Sequence, residues 1–336
     1  MGRKVFAGWN EEDGKRTPLW KERKVPITLR QMLTHSHGSA CPMFNKEQSD
    51  IMGGIEGWAP GHLARDWVQT LLESPLMQQP GEKYEYGLAF EEIGVLVERL
   101  SGRHLYDQFT KEIFEPLGMK DSYWQYEVPE EKQSRLYPTY MKMPAEDGGF
   151  TFVDDAKVMP PPPPGLPSSK ELFPHVKGRH GASGGSQIVT TATDYTALLA
   201  ALLNGGLSPE TGNRILSPEL AKMFFTPQLT KAQVTGTRNL GATTPLSVPV
   251  SFEALDPEGN IGLGPAIQGA LRKLVGGGQG RSAGTAYWYG FKNTEWWADP
   301  EKGIAAVVMT SYGPFMDSAF PELVNEVERE IYKSLA

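Results

Sequence analysis

The chain has 336 residues, 39% of them apolar and 10% aromatic, enough to bury a core in one large domain or two closely packed ones and to exclude a disordered protein. A formal charge of −7 with scattered Lys and Arg excludes a nucleic-acid surface. The single cysteine, Cys41, excludes an internal disulfide and favours a reducing, cytoplasmic compartment, while no apolar run approaches the roughly 20 residues that cross a bilayer.

Residues 1 to 25 are polar and turn-rich around Asn10-Glu11-Glu12-Asp13-Gly14 and read as an exposed leading segment with no signal peptide. Thr28 is the expected N-cap of a short helix with Leu29, Met32 and Leu33 on its apolar face. A second helix is expected from Trp67 to Glu73. A longer one runs from Ala89 to Leu100, with Phe90, Ile93, Val97 and Leu100 on one face and Ser101-Gly102 as its stop. Tyr106 to Phe114 reads as a further helix closed by Pro116-Leu117-Gly118. Between Pro138 and Pro174, where Pro161 to Pro164 are consecutive, the expectation is an irregular extended excursion. Thr191 caps a helix to Leu203, with Asp194 reaching back and Gly205 as terminator, and Ser217-Pro218-Glu219 opens another. Residues 226 to 283 suit loops and short strands. Thr285 to Phe291, Thr294 to Ala298 and Ile304 to Thr310 form an antiparallel meander, and Pro321 to Leu335 is a closing amphipathic helix.

Several segments carry candidate chemistry. In Pro80-Gly81-Glu82-Lys83-Tyr84-Glu85-Tyr86-Gly87 a Tyr at the turn into a helix can aim its phenol into a cleft and shuttle protons, although an ordinary buried Tyr fits the same pattern. Gly181-Ala182-Ser183-Gly184-Gly185 has the Gly-x-Ser-x-Gly form of a nucleophile elbow, but all six histidines precede Ser183, which leaves a glycine-rich turn before a short strand, Gln187 to Thr190. His35 and His37 have no acidic or thiol companion at metal-site spacing, so neither a metal nor another cofactor is expected. Gly276-Gly277-Gly278-Gln279-Gly280 lacks the Lys-Ser/Thr of a phosphate loop. In Trp288-Tyr289-Gly290-Phe291 a glycine inside a strand marks either a packing contact or a backbone that a substrate oxygen approaches.

Taken in order, these pieces resemble one family. Pro26 to Gly38 is similar to the "ITLRHLLTHTSG" stretch of the serine β-lactamase-related (class C type) hydrolases. Tyr86-Gly87 with Glu91 to Gly102 resembles that family's second motif and its helix, and Ile113 to Ser122 its "IFEPLGMKDT" signature. Gly184-Gly185 before a Thr-x-x-Asp-Tyr helix, and Trp288-Tyr289-Gly290 followed by Trp296-Trp297-Ala298-Asp299-Pro300, look like the esterase and transesterase branch, which includes the lovastatin acyltransferase type.

The resemblance implies an α/β (α+β) β-lactamase/transpeptidase-like fold in one domain. Residues 26–225 would form a mainly helical lobe with an irregular excursion over 125–180, and residues 226–336 a sheet lobe with the C-terminal helix. It implies attack of a Ser on an ester, thioester or lactam carbonyl, with a Lys one helical turn later and Tyr86 moving the proton. The Phe291 amide, following Trp288, Tyr289 and Gly290, would be one oxyanion donor, and Trp in place of the Lys of the β-lactamase third motif disfavours penicillin. The implied partner is a small-molecule acyl ester or thioester, with an acyl-donor carrier protein as its source and no nucleic acid or membrane. Leu88 departs from the Asn usual in lactamases. No Ser in the chain is followed three residues later by Lys. The expectation is therefore the C-terminal portion of such a hydrolase, catalytically silent because losing a nucleophile costs about 10⁴ to 10⁶ in turnover. The alternative is a non-catalytic relative that binds an acyl ligand.

Overall fold

The computed structural model describes residues 3–52, 71, 74–125, 127–154, 183–243 and 246–335. They fall into two compact units, one drawing on residues up to 105, 183–186 and 229–243, the other on 106–154, 187–228 and 246–335.

The first unit opens with an antiparallel hairpin, β1 (Val5–Glu12) and β2 (Lys15–Lys21). The leading segment is thus regular, and it is exposed except at its start, where Val5 is fully buried and Arg3 is turned inward. Asp13 and Gly14 both take positive φ, 49° and 70°, the turn that matches the twist of paired strands. Helix α1 (Leu29–Leu33) starts at a capping box in which Thr28 and Gln31 satisfy each other's backbone N–H; of its expected apolar face only Met32 is buried. Helix α2 (Lys46–Ile51) is capped by Asn45. The helix expected from Trp67 to Glu73 lies outside the described residues apart from Leu71.

Helix α3 (Ala89–Ser101) ends at left-handed Gly102 as expected, but its buried face is another one. Ala89, Glu92, Gly94 and Val95 point inward, Leu71, Leu88 and Val95 form a small core, and Leu100 is 80% exposed. The apolar stripe misled because a charged residue is buried. Glu92 accepts from Arg3 at 2.7 Å beside His37, so the inward face carries an ion pair that hydrophobic spacing cannot register.

In the second unit, α4 (Leu105–Phe109) runs into a π-helical turn over Thr110–Phe114 and a last helical turn, Glu115–Leu117, stopped by left-handed Gly118. Phe114, Leu117 and Met119 pack with Ala201 into a core. Strand β3 (Tyr123–Trp124) pairs antiparallel with residues 188–189 further along the chain. Residues 140–154 correct the expected irregular excursion, since β4 (Tyr140–Pro144) and β5 (Phe150–Asp154) form a hairpin around Asp147 and left-handed Gly148. Alternation in Tyr140-Met141-Lys142-Met143 and a Gly-rich turn held that signal, masked in the sequence by the proline run beyond it. The proline run Pro161–Pro164 lies outside the described residues.

Strand β6 (Ile188–Val189) leads to α5 (Ala192–Leu203), whose Thr191 cap accepts from the Asp194 N–H. The Asp194 carboxylate takes the Asp121 N–H at 2.7 Å and the Ser122 hydroxyl at 2.9 Å; the cap role expected of it goes to these donors from a distant segment. Helix α6 (Pro218–Phe224) starts at Ser217 as expected. Short strands β7 (Asn260–Ile261) and β8 (Ala266–Ile267) continue into the meander β9 (Ala286–Gly290), β10 (Thr294–Asp299) and β11 (Ile304–Met309), giving an antiparallel sheet ordered β11-β10-β9-β8-β7. Strand β12 (Tyr312–Gly313) pairs in parallel with β4. Trp296 of β10 meets the rings of Tyr195 on α5 and Phe224 on α6. On the opposite face, α7 (Ala319–Ser334) sends Tyr332 to Asp299 and Glu328 to the Arg281 backbone and side chain. Among the described residues no helix is long and apolar enough to cross a membrane.

Candidate active site

In the first unit, left-handed His35 (φ 49°) turns the chain after α1 and brings Thr34–Ala40 against the Tyr84–Gly87 loop. The Glu85 N–H donates to the His35 carbonyl at 2.7 Å, and the Gly81 N–H to the Ser36 carbonyl at 2.7 Å. Gly87 has no room for a side chain, because a Cβ there would lie 2.6 Å from the Ser39 carbonyl oxygen and 2.8 Å from Ala40 Cα. This seam sets Tyr86 at the start of α3, with its ring 4.9 Å from that of His35 and 5.8 Å from Phe44.

The surroundings of Tyr86 hold its proton firmly. Burial pushes the phenol up, and the charges of Cys41, Glu91 and Tyr84 push the same way. Its proton is thus held more firmly than that of an ordinary tyrosine, chiefly through desolvation. Burial also raises the Cys41 thiol to about 12 and lowers His35 to about 3, the latter with help from His37, so His35 is a neutral ring.

The glycine-rich turn at Ser183 belongs to the same unit. A Cβ on Gly184 would lie 2.1 Å from the Phe90 carbonyl oxygen, and one on Gly185 2.7 Å from Glu91 Oε1, so only glycines let the turn lie flush on the first turn of α3. The Ser183 hydroxyl donates to Glu91 Oε1 at 3.0 Å. Glu91, Glu92, His35 and His37 were not singled out for this neighbourhood in the sequence. The partners of Glu91 and Glu92 come from segments 92 and 89 residues away, which helix periodicity does not record.

In the second unit, Trp288, Tyr289 and Gly290 end β9 and Phe291 opens the turn to β10. Trp288 pairs across the strands with Trp296, whereas Tyr289 alternates to the other face, stacks on Phe252 at 5.0 Å and pairs with Glu295. The strand glycine has a packing cause: a Cβ on Gly290 would lie 2.1 Å from Thr294 Oγ1. The turn carrying Phe291 is braced by Asn293, whose amide donates to the Tyr312 and Pro314 carbonyls at 3.0 Å and accepts from the Met316 N–H at 2.7 Å. The Phe291 ring stacks with Phe315 at 6.1 Å. Among the described residues, no group of three or more His, Cys, Asp or Glu side chains could hold a metal.

Residues 17–327 match the protein family described as Beta-lactamase. The chain is similar to the monacolin J acid methylbutanoyltransferase of Aspergillus terreus, at 25% identity over 98% of this chain and 71% of that protein. It is also similar to the lovastatin esterase of Penicillium rubens, at 26% identity over 60% of this chain and 46% of that protein, so it spans less than half the length of that relative. The unliganded selenomethionyl structure of simvastatin synthase from Aspergillus terreus superposes with a TM-score of 0.74 at 21% identity, over 99% of this chain and 74% of that one. At that identity the superposition speaks for the fold, and it agrees with the β-lactamase/transpeptidase-like architecture the motifs imply.

Proposed function

Because the chain belongs to the β-lactamase family, we propose that it presents the acyl-binding part of a serine esterase or acyltransferase site, with an acyl ester or thioester as ligand. We assign proton exchange to Tyr86, and to the Phe291 N–H, after Trp288-Tyr289-Gly290, a hydrogen bond to the acyl oxygen. The observation that carries the reading is the seam in the first unit, where the His35 and Phe44 rings pack on a half-buried phenol whose ionisation the charge of Glu91 opposes. A phenol held that firmly in its neutral form needs a neighbouring cation before it can accept a proton.

The names of two relatives describe an esterase for lovastatin and a methylbutanoyl transfer to monacolin J acid. We extend to this chain the chemistry they share, a carboxylic ester, together with a setting in secondary metabolism. A carrier-bound thioester would serve as donor equally well, and the lone buried thiol, Cys41, fits a cytoplasmic setting. None of the 336 residues is a Ser with Lys three positions on, so we assign this chain, by itself, binding and orientation of the acyl group without turnover.

The test exposes the purified chain to a fluorophosphonate probe, to p-nitrophenyl butyrate, and to an uncleavable ketone analogue of that ester. The expected outcome is no adduct, no hydrolysis above buffer, and a raised melting temperature with the analogue. An adduct on any serine, or a folded chain that the analogue fails to stabilise, overturns the assignment.

A further inference from the structure

We propose that Asn293 is a positioning residue for the Phe291 N–H, whose direction its buried side-chain amide fixes by tying residues 291–293 to residues 312–316. The inference rests on the role proposed above for Phe291 and deepens it.

The need for such a tie starts at Gly290. Thr294 Oγ1 crowds out a Cβ there, which keeps the residue before the donor a glycine, and a glycine does little to hold the peptide plane that carries the Phe291 N–H. The ladder between β9 and β10 closes at Gly290 and Thr294, leaving residues 291–293 as a three-residue loop, and Asn293 takes the left-handed φ of 57° that ends such a loop. Neither strand therefore sets the direction of the donor. Asparagine enters the left-handed region more readily than most residues, but glycine would serve the backbone there as well. What asparagine adds is its amide.

That amide is fully enclosed and reaches a segment 19 to 23 positions further on. Its two N–H groups donate to the Tyr312 and Pro314 carbonyls at 3.0 Å, and its oxygen accepts from the Met316 N–H at 2.7 Å, so both donors and one lone pair are engaged. The anchor is itself held, since the Phe315 N–H donates to the Leu246 carbonyl at 2.9 Å and the Val248 N–H to the Phe315 carbonyl at 3.1 Å. On the near side the Thr310 hydroxyl reaches the Lys292 and Asn293 carbonyls at 2.8 and 2.7 Å. The stacked rings of Phe291 and Phe315 close the bracket. A backbone donor stabilises an acyl oxygen to the extent that it points at it beforehand, and here the aiming falls to a side chain two residues from the donor.

The test reads the donor directly. ¹⁵N relaxation on the full chain is expected to give the Phe291 N–H of the parent an order parameter of about 0.85, that of rigid backbone. Asn293→Gly keeps the left-handed turn and deletes the bracket, so its Phe291 value is expected to fall below about 0.6 while Trp297 in β10 keeps its own. Ser217→Ala, which removes a helix cap elsewhere in the same unit, is the control for general loss of stability and leaves Phe291 rigid. With the ketone analogue of p-nitrophenyl butyrate labelled with ¹³C at its carbonyl, a hydrogen bond from Phe291 moves the bound resonance downfield in the parent. Asn293→Gly is expected to lose most of that shift, which a merely structural role would leave in place. A mobile Phe291 N–H in the parent overturns the proposal and needs no variant to fold. A rigid one in Asn293→Gly, equal loosening in Ser217→Ala, or an unchanged carbonyl shift in the loosened variant overturns it as well. A parent that does not bind the ketone overturns the acyl-binding assignment instead, and the relaxation result still judges Asn293.

Discussion

His35 illustrates what a single buried side chain contributes. Its ring is fully enclosed, and burial followed by the proximity of His37 lowers it from 6.5 to about 3. Between those values the unfolded chain binds a proton that the folded chain refuses, so stability falls as pH drops through that window, by up to about 1.4 kcal/mol per unit. Carboxylates held low, Glu92, Asp299 and Glu328, lose their contribution only on further acidification, below the ordinary carboxylate range. The raised carboxyls Glu85, Glu91 and Glu295 gain stability over the same interval, so the difference between chains isolates the histidine: from urea midpoints at pH 6.5 and 5 the parent is expected to lose more, or gain less, stability on acidification than His35→Gln, which is less stable throughout. Equal slopes would mean that the imidazole is hydrated. The sequence supplied the Thr34-His35-Ser36-His37 string and the resemblance that makes it a family segment. The left-handed turn at His35 and the ring packed on Tyr86 depend on a loop about fifty residues away, and no local pattern announces them.

At the scale of elements, caps and stops were the legible part. Thr28 with Gln31, Thr191, Ser217 and Gly102 do what their chemistry requires, because each acts within one helical turn of its own position. Faces were less legible, as α3 makes plain: the Phe90-Ile93-Val97-Leu100 stripe is spaced correctly for a helix, yet the helix turns Glu92 and Val95 inward to meet Arg3 and the Leu71-Leu88 core. The two assignments predict opposite mutants. Val95→Ala is expected to cost about 1–2 kcal/mol, and Leu100→Ala to stay within about 0.5 kcal/mol of the parent, as an exposed position should. Chemical denaturation of both variants distinguishes them, and a larger loss for Leu100→Ala would restore the stripe read from spacing.

At the scale of the whole molecule, the meander and closing helix are readable from β-rich runs and an amphipathic end, but what joins them is not. Arg281, without solvent exposure, bridges Glu295 on β10 at 2.7 Å and Glu328 on α7 at 2.8 Å, lies over the Trp297 ring, and is supported by Arg272, 3.0 Å from Glu328. Burial opposes charge on all three partners. Glu295 and Glu328 nonetheless hold Arg281 well above its ordinary value, and the two arginines hold Glu328 down, whereas for Glu295 burial wins and raises it. In sequence these are three ordinary charged letters, 14 and 47 positions apart, each of which would default to the surface. Arg281→Met leaves two buried carboxyls facing each other and is expected to cost about 3–5 kcal/mol, whereas adding Glu295→Gln and Glu328→Gln to it should recover part of that loss, because the unpaired charge and not the missing bridge is the larger penalty. Urea denaturation of the single and triple variants measures both. A triple variant no more stable than the single one would mean that Arg281 acts through its packing on Trp297, and the cluster would then be a matter of shape instead of charge.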